Sequence, residues 1–181
     1  MSDGDPHVVP GISPHPNTSF YAKLQPALSI LILLICGLGM LSLSWLKWPD
    51  ALVDFGHELY IPWQLSAGGV LYKDIAHLSG PLSPYFNALL FRLFGAGLMT
   101  LVGFNLLLIA ALAGILYRLF LRTADRLTAT AVCAAFLTVF AFSQYIKTGN
   151  YNFVCPYSHH LTHGVFLAFL AIYLFMGYVE R

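Results

Sequence analysis

Four runs of apolar residues punctuate the chain, each about long enough to cross a bilayer. A hydrocarbon core about 30 Å thick takes about 20 residues of helix. Residues 27–46 (ALSILILLICGLGMLSLSWL), 98–117 (LMTLVGFNLLLIAALAGILY) and 127–146 (LTATAVCAAFLTVFAFSQYI) carry no charge. In 161–179 only His163 can acquire one. The runs are continuous, whereas barrel strands alternate over about 10 residues. The pattern predicts an all-α integral membrane protein with about four transmembrane helices. It has a flexible tail over 1–25, a membrane domain over 26–181, and connecting loops at 47–97 and 147–160.

The long first loop has a pattern of its own. It opens on Trp45-Leu46-Lys47-Trp48, the aromatic and basic mixture of a membrane interface. In PDALVDFGHELY, helical spacing places Asp50, Asp54 and Glu58 on one face. Such a stripe is either a solvated loop face or an acidic group put to use. Gly68-Gly69 signals a turn. Ser83 to Gly95 predicts a short juxtamembrane helix, with Ser83 as cap, Pro84 in the first turn and Gly95 as the stop. Phe86, Leu89, Leu90 and Leu93 would face lipid or the bundle, with Asn87 and Arg92 toward the headgroups.

Composition narrows the class. The chain of 181 residues is 58% hydrophobic and only 9% charged, with mean hydropathy +0.72. That leaves too few charges to cover a water-facing surface, against about 25% in soluble domains. A formal net charge of +1 offers nothing to nucleic acid. Four of the ten prolines fall in the tail, at Pro6, Pro10, Pro14 and Pro16.

Lys and Arg set the orientation. Arg118, Arg122 and Arg126 crowd one short link, Arg181 follows the last run and Lys23 precedes the first. The link 147–160 has one Lys. All of this fits an N-terminus in the cytoplasm, with 47–97 and 147–160 outside.

Candidate chemistry sits in the two outer loops. His159 and His163 are four apart and share a helical face, with His160 beside them. They are interfacial hydrogen bonders, partners of a phosphate or acceptor, or ligands of a divalent metal. The Glu of an H-E-x-x-H site is missing, so metalloprotease chemistry is not supported. Asn105 reads as helix-packing glue within its span, and Cys155 as a packed thiol.

The elements DFGHELY, GGVLYKD and GPLSPYFNALLFRLFG, from Asp54 to Gly95, resemble the start of GT-C glycosyltransferases. The likeness is to bacterial members of the dolichyl-phosphate-mannose protein mannosyltransferase-like group. It continues more weakly through YNFVCPYSHHLTHG, Tyr151 to Gly164. Members of that superfamily have two to three times as many spans, so the chain is expected to match their N-terminal portion and to be inactive by itself.

The resemblance implies a polyprenyl-phosphate-linked sugar donor, a hydroxyl-bearing acceptor that is lipid, glycan or protein, and inverting transfer at the outer face of a membrane (the inner membrane, in a bacterium). It implies Asp54 as the catalytic base with Glu58 as its support. Lys73, Arg92, His159 and His160 are then candidates for the donor phosphate. No cofactor is fixed by it, and a divalent metal remains open. Two other readings stand beside this one: a non-enzymatic membrane subunit or degenerate relative, and a His-based metal-handling or transport protein.

Overall fold

The computed structural model describes residues 16–47, 55–142 and 151–180, with side chains from residue 24 onward. The described residues are helical apart from turns, short coils and one isolated bridge between Leu71 and Ile75. The helices are α1 (Pro16–Ser44), α2 (Phe55–Ser66), α3 (Leu82–Phe94), α4 (Leu98–Thr123), α5 (Arg126–Ala135) and α6 (His159–Val179). A π-helical segment, Phe136–Ala141, continues α5.

Three helices are long and apolar enough to span a membrane: Leu24–Ser44 within α1, then α4 and α6. Their outward faces carry the side chains a soluble protein would hide. Ile35 and Leu38 of α1 are each 63% exposed and Phe175 of α6 is 67% exposed, on a scale that only lipid or a partner would cover. The protein is an all-α membrane protein.

Two boundaries differ from the sequence expectation. The third apolar run is described as a shorter helix, Arg126–Ala141, whose last turns are π rather than α. It falls short of the about 20 residues a span needs, and 143–150 lie outside the described residues. The second difference is at the N-terminus, where α1 starts at Pro16 and runs through Pro26. The helical part of the chain thus reaches into the segment expected to be a tail. Proline's fixed φ suits the first helical position.

The membrane helices pack around α4, which touches α3, α5 and α6, while α1 lies on α5 and the π segment. The main core joins Leu112 and Leu116 of α4 to Cys133, Phe136 and Leu137, with Phe153 below the start of α6. Across the α1–α5 seam, Thr130 donates to Ser29 at 3.0 Å.

The two short helices make a separate layer. α2 lies against α3, through Ile61, Leu65 and Ala88. A tight hairpin connects them. Its Gly68 has φ 107°, which favours glycine. At Gly69 a Cβ would stand 3.0 Å from the Gln64 carbonyl oxygen. Val70 N–H donates to the Asp74 carboxylate and Asp74 N–H to Val70 O, both at 2.9 Å. Leu71 N–H reaches the Tyr85 hydroxyl of α3 at 3.3 Å. The expected glycine turn is therefore present, and it carries His77 back toward α2 and α6.

Gly95 ends α3 as expected, at φ 91° with its N–H on Phe91 O. Ser83 does not cap this helix: its hydroxyl is taken by His163 Nδ1 at 2.9 Å. Of the two polar residues expected toward headgroups, Asn87 does not face them. Asn87 is buried, and Arg92 donates to the carbonyls of Leu65 (3.1 Å) and Ser66 (3.2 Å) at the end of α2. Cations are favoured at a helix C-terminus, where four carbonyls lack partners. Phe86 and Leu90 turn toward the bundle, whereas Leu89 and Leu93 are exposed.

Candidate functional site

The site forms where α2 and α3 meet the first turn of α6. Glu58 projects from α2 and is buried. Its Oε2 accepts from the His159 ring at Nδ1 (2.7 Å) and from the His159 backbone N–H (3.2 Å). The second contact gives α6 an acidic partner for one of its orphan N-terminal donors. The His159 ring, fully buried, meets Asn105 of α4 with its other nitrogen, Nε2 to Nδ2 at 3.1 Å. Asn105 Nδ2 also donates to Val154 O at 3.0 Å.

This geometry fixes a tautomer. Val154 O can only accept, so Asn105 must present its amino group there. The same amino group faces His159 Nε2, which must therefore be the lone-pair nitrogen. His159 is then neutral, with its proton on Nδ1 and directed at Glu58. Burial alone pushes the Glu58 carboxyl up, but the two hydrogen bonds from His159 outweigh it, and the group is held below the usual glutamate range. Glu58 is an anion anchored by two donors, not a solvated loop carboxylate.

A second set of imidazoles lies above this pair. His57, Glu58, His77, Asn87 and His160 line a narrow cleft floored by Pro62 and Pro84. His77 stacks on His57 with centroids 5.8 Å apart and meets His160 edge-on at 6.1 Å. His160 Nε2 shares a hydrogen bond with Ser79 Oγ at 3.1 Å. The helical face expected for His159 and His163 is realised, with ring centroids 5.8 Å apart. His163 is enclosed by Phe86 and Phe104.

The segment leading into α6 is coil, yet it is buried, and its polar groups find partners. Asn152 Oδ1 accepts from Cys155 N–H at 2.7 Å, and Phe153 N–H donates to Ala141 O at 3.1 Å. Buried irregular backbone requires such partners. Tyr151 bonds Thr162 through its hydroxyl, and burial pushes that phenol up to about 12. Burial also pushes the Cys155 thiol up to about 12, so it is inert packing, as its lone position implied.

The other sequence candidates are dispersed. Asp54 and Asp50 lie outside the described residues. Lys73 is exposed in the hairpin, and Arg92 is occupied on α2. His160 alone of the phosphate candidates borders the cleft with Glu58. A divalent metal is not accommodated by His159, whose two nitrogens are both engaged. Among the described residues no three His, Cys, Asp or Glu side chains stand together as a metal centre.

Asn105 exceeds its expected role as glue, because it orients a histidine of the site. Ser83 and His77 were not anticipated in theirs. The signal was present for Asn105: a lone amide in an apolar run needs a partner.

No family model, curated protein or solved structure matches the chain. The class defined by fold and site is an all-α membrane protein with a buried, hydrogen-bonded Glu–His–Asn set where its short helices meet a spanning helix.

Proposed function

We propose that the chain is the N-terminal portion of a glycosyltransferase that takes a sugar from a polyprenyl-phosphate donor and passes it, with inversion, to a hydroxyl at the outer face of a membrane. The reading carries four spans and a cytoplasmic N-terminus, with the apolar run 127–146 as the third span. The observation that carries it is the Glu58–His159 bond. It unites the two segments whose sequences resemble that superfamily, DFGHELY and YNFVCPYSHHLTHG, into one polar site beside membrane-spanning helices.

In this reading Asp54 accepts the proton of the acceptor hydroxyl as that oxygen attacks sugar C1 and the bond from C1 to the phosphate oxygen breaks. Glu58 does not compete for that role, since its carboxylate is committed to His159. It positions α2 directly after Asp54. Lys73 and His160 serve the leaving phosphate, where cationic and hydrogen-bonding partners stabilise developing charge. Arg92 and His159 hold the frame. The donor, the acceptor and the surrounding lipid are the partners.

The test is transfer from radiolabelled polyprenyl-phosphate hexoses in membranes containing the native polypeptide. Loss of a general base is expected to lower turnover about 10²–10⁴-fold in Asp54→Asn, with unchanged protein level and thermal midpoint. Full activity in that variant removes Asp54 from the chemistry. An absence of transfer from any such donor by the wild type overturns the reading.

A further inference from the structure

Of the seven histidines in the chain, five gather around the single carboxylate of Glu58. They come from three separate segments: His57 from α2, His77 from the hairpin, and His159, His160 and His163 from the first turns of α6. The inner pair, His159 and His163, is hydrogen-bonded to Glu58 and Ser83. The outer three, His57, His77 and His160, form a chain of ring contacts that closes the hairpin onto α2 and α6.

That closure is built for neutral rings. Both nitrogens of His77 are shut off from solvent without a hydrogen-bond partner. A neutral ring leaves one donor unmet there, while a protonated ring leaves two. The groups facing His77 are His57 and Glu58 of α2, His160 of α6, and Tyr72 of its own hairpin. The group lining the cleft from α3 is Asn87, which is uncharged. Only Glu58 among these is acidic. Its Oε2 is already taken by His159, and its Oε1 stands 4.0 Å from His57 Nδ1. Asp74 of the hairpin is bonded to Val70 N–H, and the neighbouring Lys73 adds a positive charge. Burial, and then the proximity of His57 and His160, hold His77 below the usual histidine range.

We propose that the histidine cleft is an acid-released clasp, in which protonation of the sealed His77 ring drives the 67–81 hairpin away from α6 and opens the cleft beside Glu58. Protons bind the open form more readily, because there the His77 imidazolium regains water and distance from His57 and His160. The closed form is therefore fully favoured above the ordinary histidine pKa and is lost as the pH falls below it. The inner Glu58–His159 pair stays bonded through this change and serves as the hinge post. The closed cleft, of about 10 Å³, has room for roughly one water, so access to its polar groups depends on the opening. The proposal stands whether or not the protein is a transferase.

The experiment places nitroxide labels at Leu78→Cys on the hairpin and Leu161→Cys on α6, both exposed positions, in a Cys36→Ser background, with the protein in lipid nanodiscs. Dipolar broadening between the labels is expected at about pH 7.5 and is expected to be lost, reversibly, by about pH 5.5. His57→Gln, at an exposed side chain, should move the midpoint down by about half a pH unit. His77→Gln should move it further. Unchanged broadening across this range in the wild type overturns the proposal. So does a transition whose midpoint is the same in all three proteins.

Discussion

The Glu58 carboxylate and the His159 imidazole lie 101 residues apart in sequence and 2.7 Å apart in the fold. A second hydrogen bond, from the His159 backbone, ends on the same carboxylate oxygen. These two contacts fasten the short-helix layer to the start of α6.

Breaking the pair is therefore expected to cost more than a surface change. Hydrogen bonds to a charged, buried group contribute about 1.5–3 kcal/mol. Glu58→Gln should lower stability in detergent by about 2 kcal/mol, the middle of that range. A double-mutant cycle with His159→Ala should show coupling of similar size. Additive effects would mean that the two side chains do not act as a unit.

Asn105→Leu should be equally costly, by about 2 kcal/mol, because it orphans Val154 O and His159 Nε2 inside the bundle. A sharper readout is the tautomer. Nitrogen NMR of His159 is expected to show the proton on Nδ1 in the wild type and a mixture in the variant. A wild-type proton on Nε2 would contradict the hydrogen-bond assignment.

Arg92 is a helix-terminal cation in this fold, on the carbonyls of Leu65 and Ser66. Arg92→Gln should reduce the thermal midpoint through a loss of about 1 kcal/mol. Its effect on apparent donor affinity should be small. A large rise in KM at unchanged stability would return Arg92 to the phosphate.

Much of this fold was legible in the sequence because lipid imposes a simple rule on long runs. The apolar stretches 98–117 and 161–179 each fall within a long helix, and 27–46 overruns the end of α1 at Ser44 by two residues. The stretch 127–146 did not reveal the change to π geometry at Phe136, since its uninterrupted apolar pattern carries no mark at that turn. On the short helix, Gly95 announced its own turn, but Ser83 looked like a cap and is instead claimed by His163, 80 residues away. The residue types of the site were visible one by one. Their pairing was not, because nothing local links Glu58 to His159 or either to Asn105.

The pH response of the Glu58 anchor should differ in sign and range from that of the histidine clasp. Its carboxyl is held below the ordinary glutamate value in the fold. Its contribution is thus present above the unfolded-state value and lost as the pH falls through the lower, folded value. The stability difference between wild type and Glu58→Gln should be flat from neutral pH down to about 4.5 and shrink only below that. Shrinkage already near pH 6 would show that Glu58 is not the anion described.

The separation of Glu58 from His159 also orders the making of the protein. At about 5–20 residues per second, a ribosome needs about 5–20 s to travel from one to the other. During that interval α2 exists without the donors that satisfy its carboxylate, so the short-helix layer waits at the water boundary until α6 arrives. Insertion of α6 is then more than the addition of another crossing: its first turn closes a latch left open by everything synthesised before it.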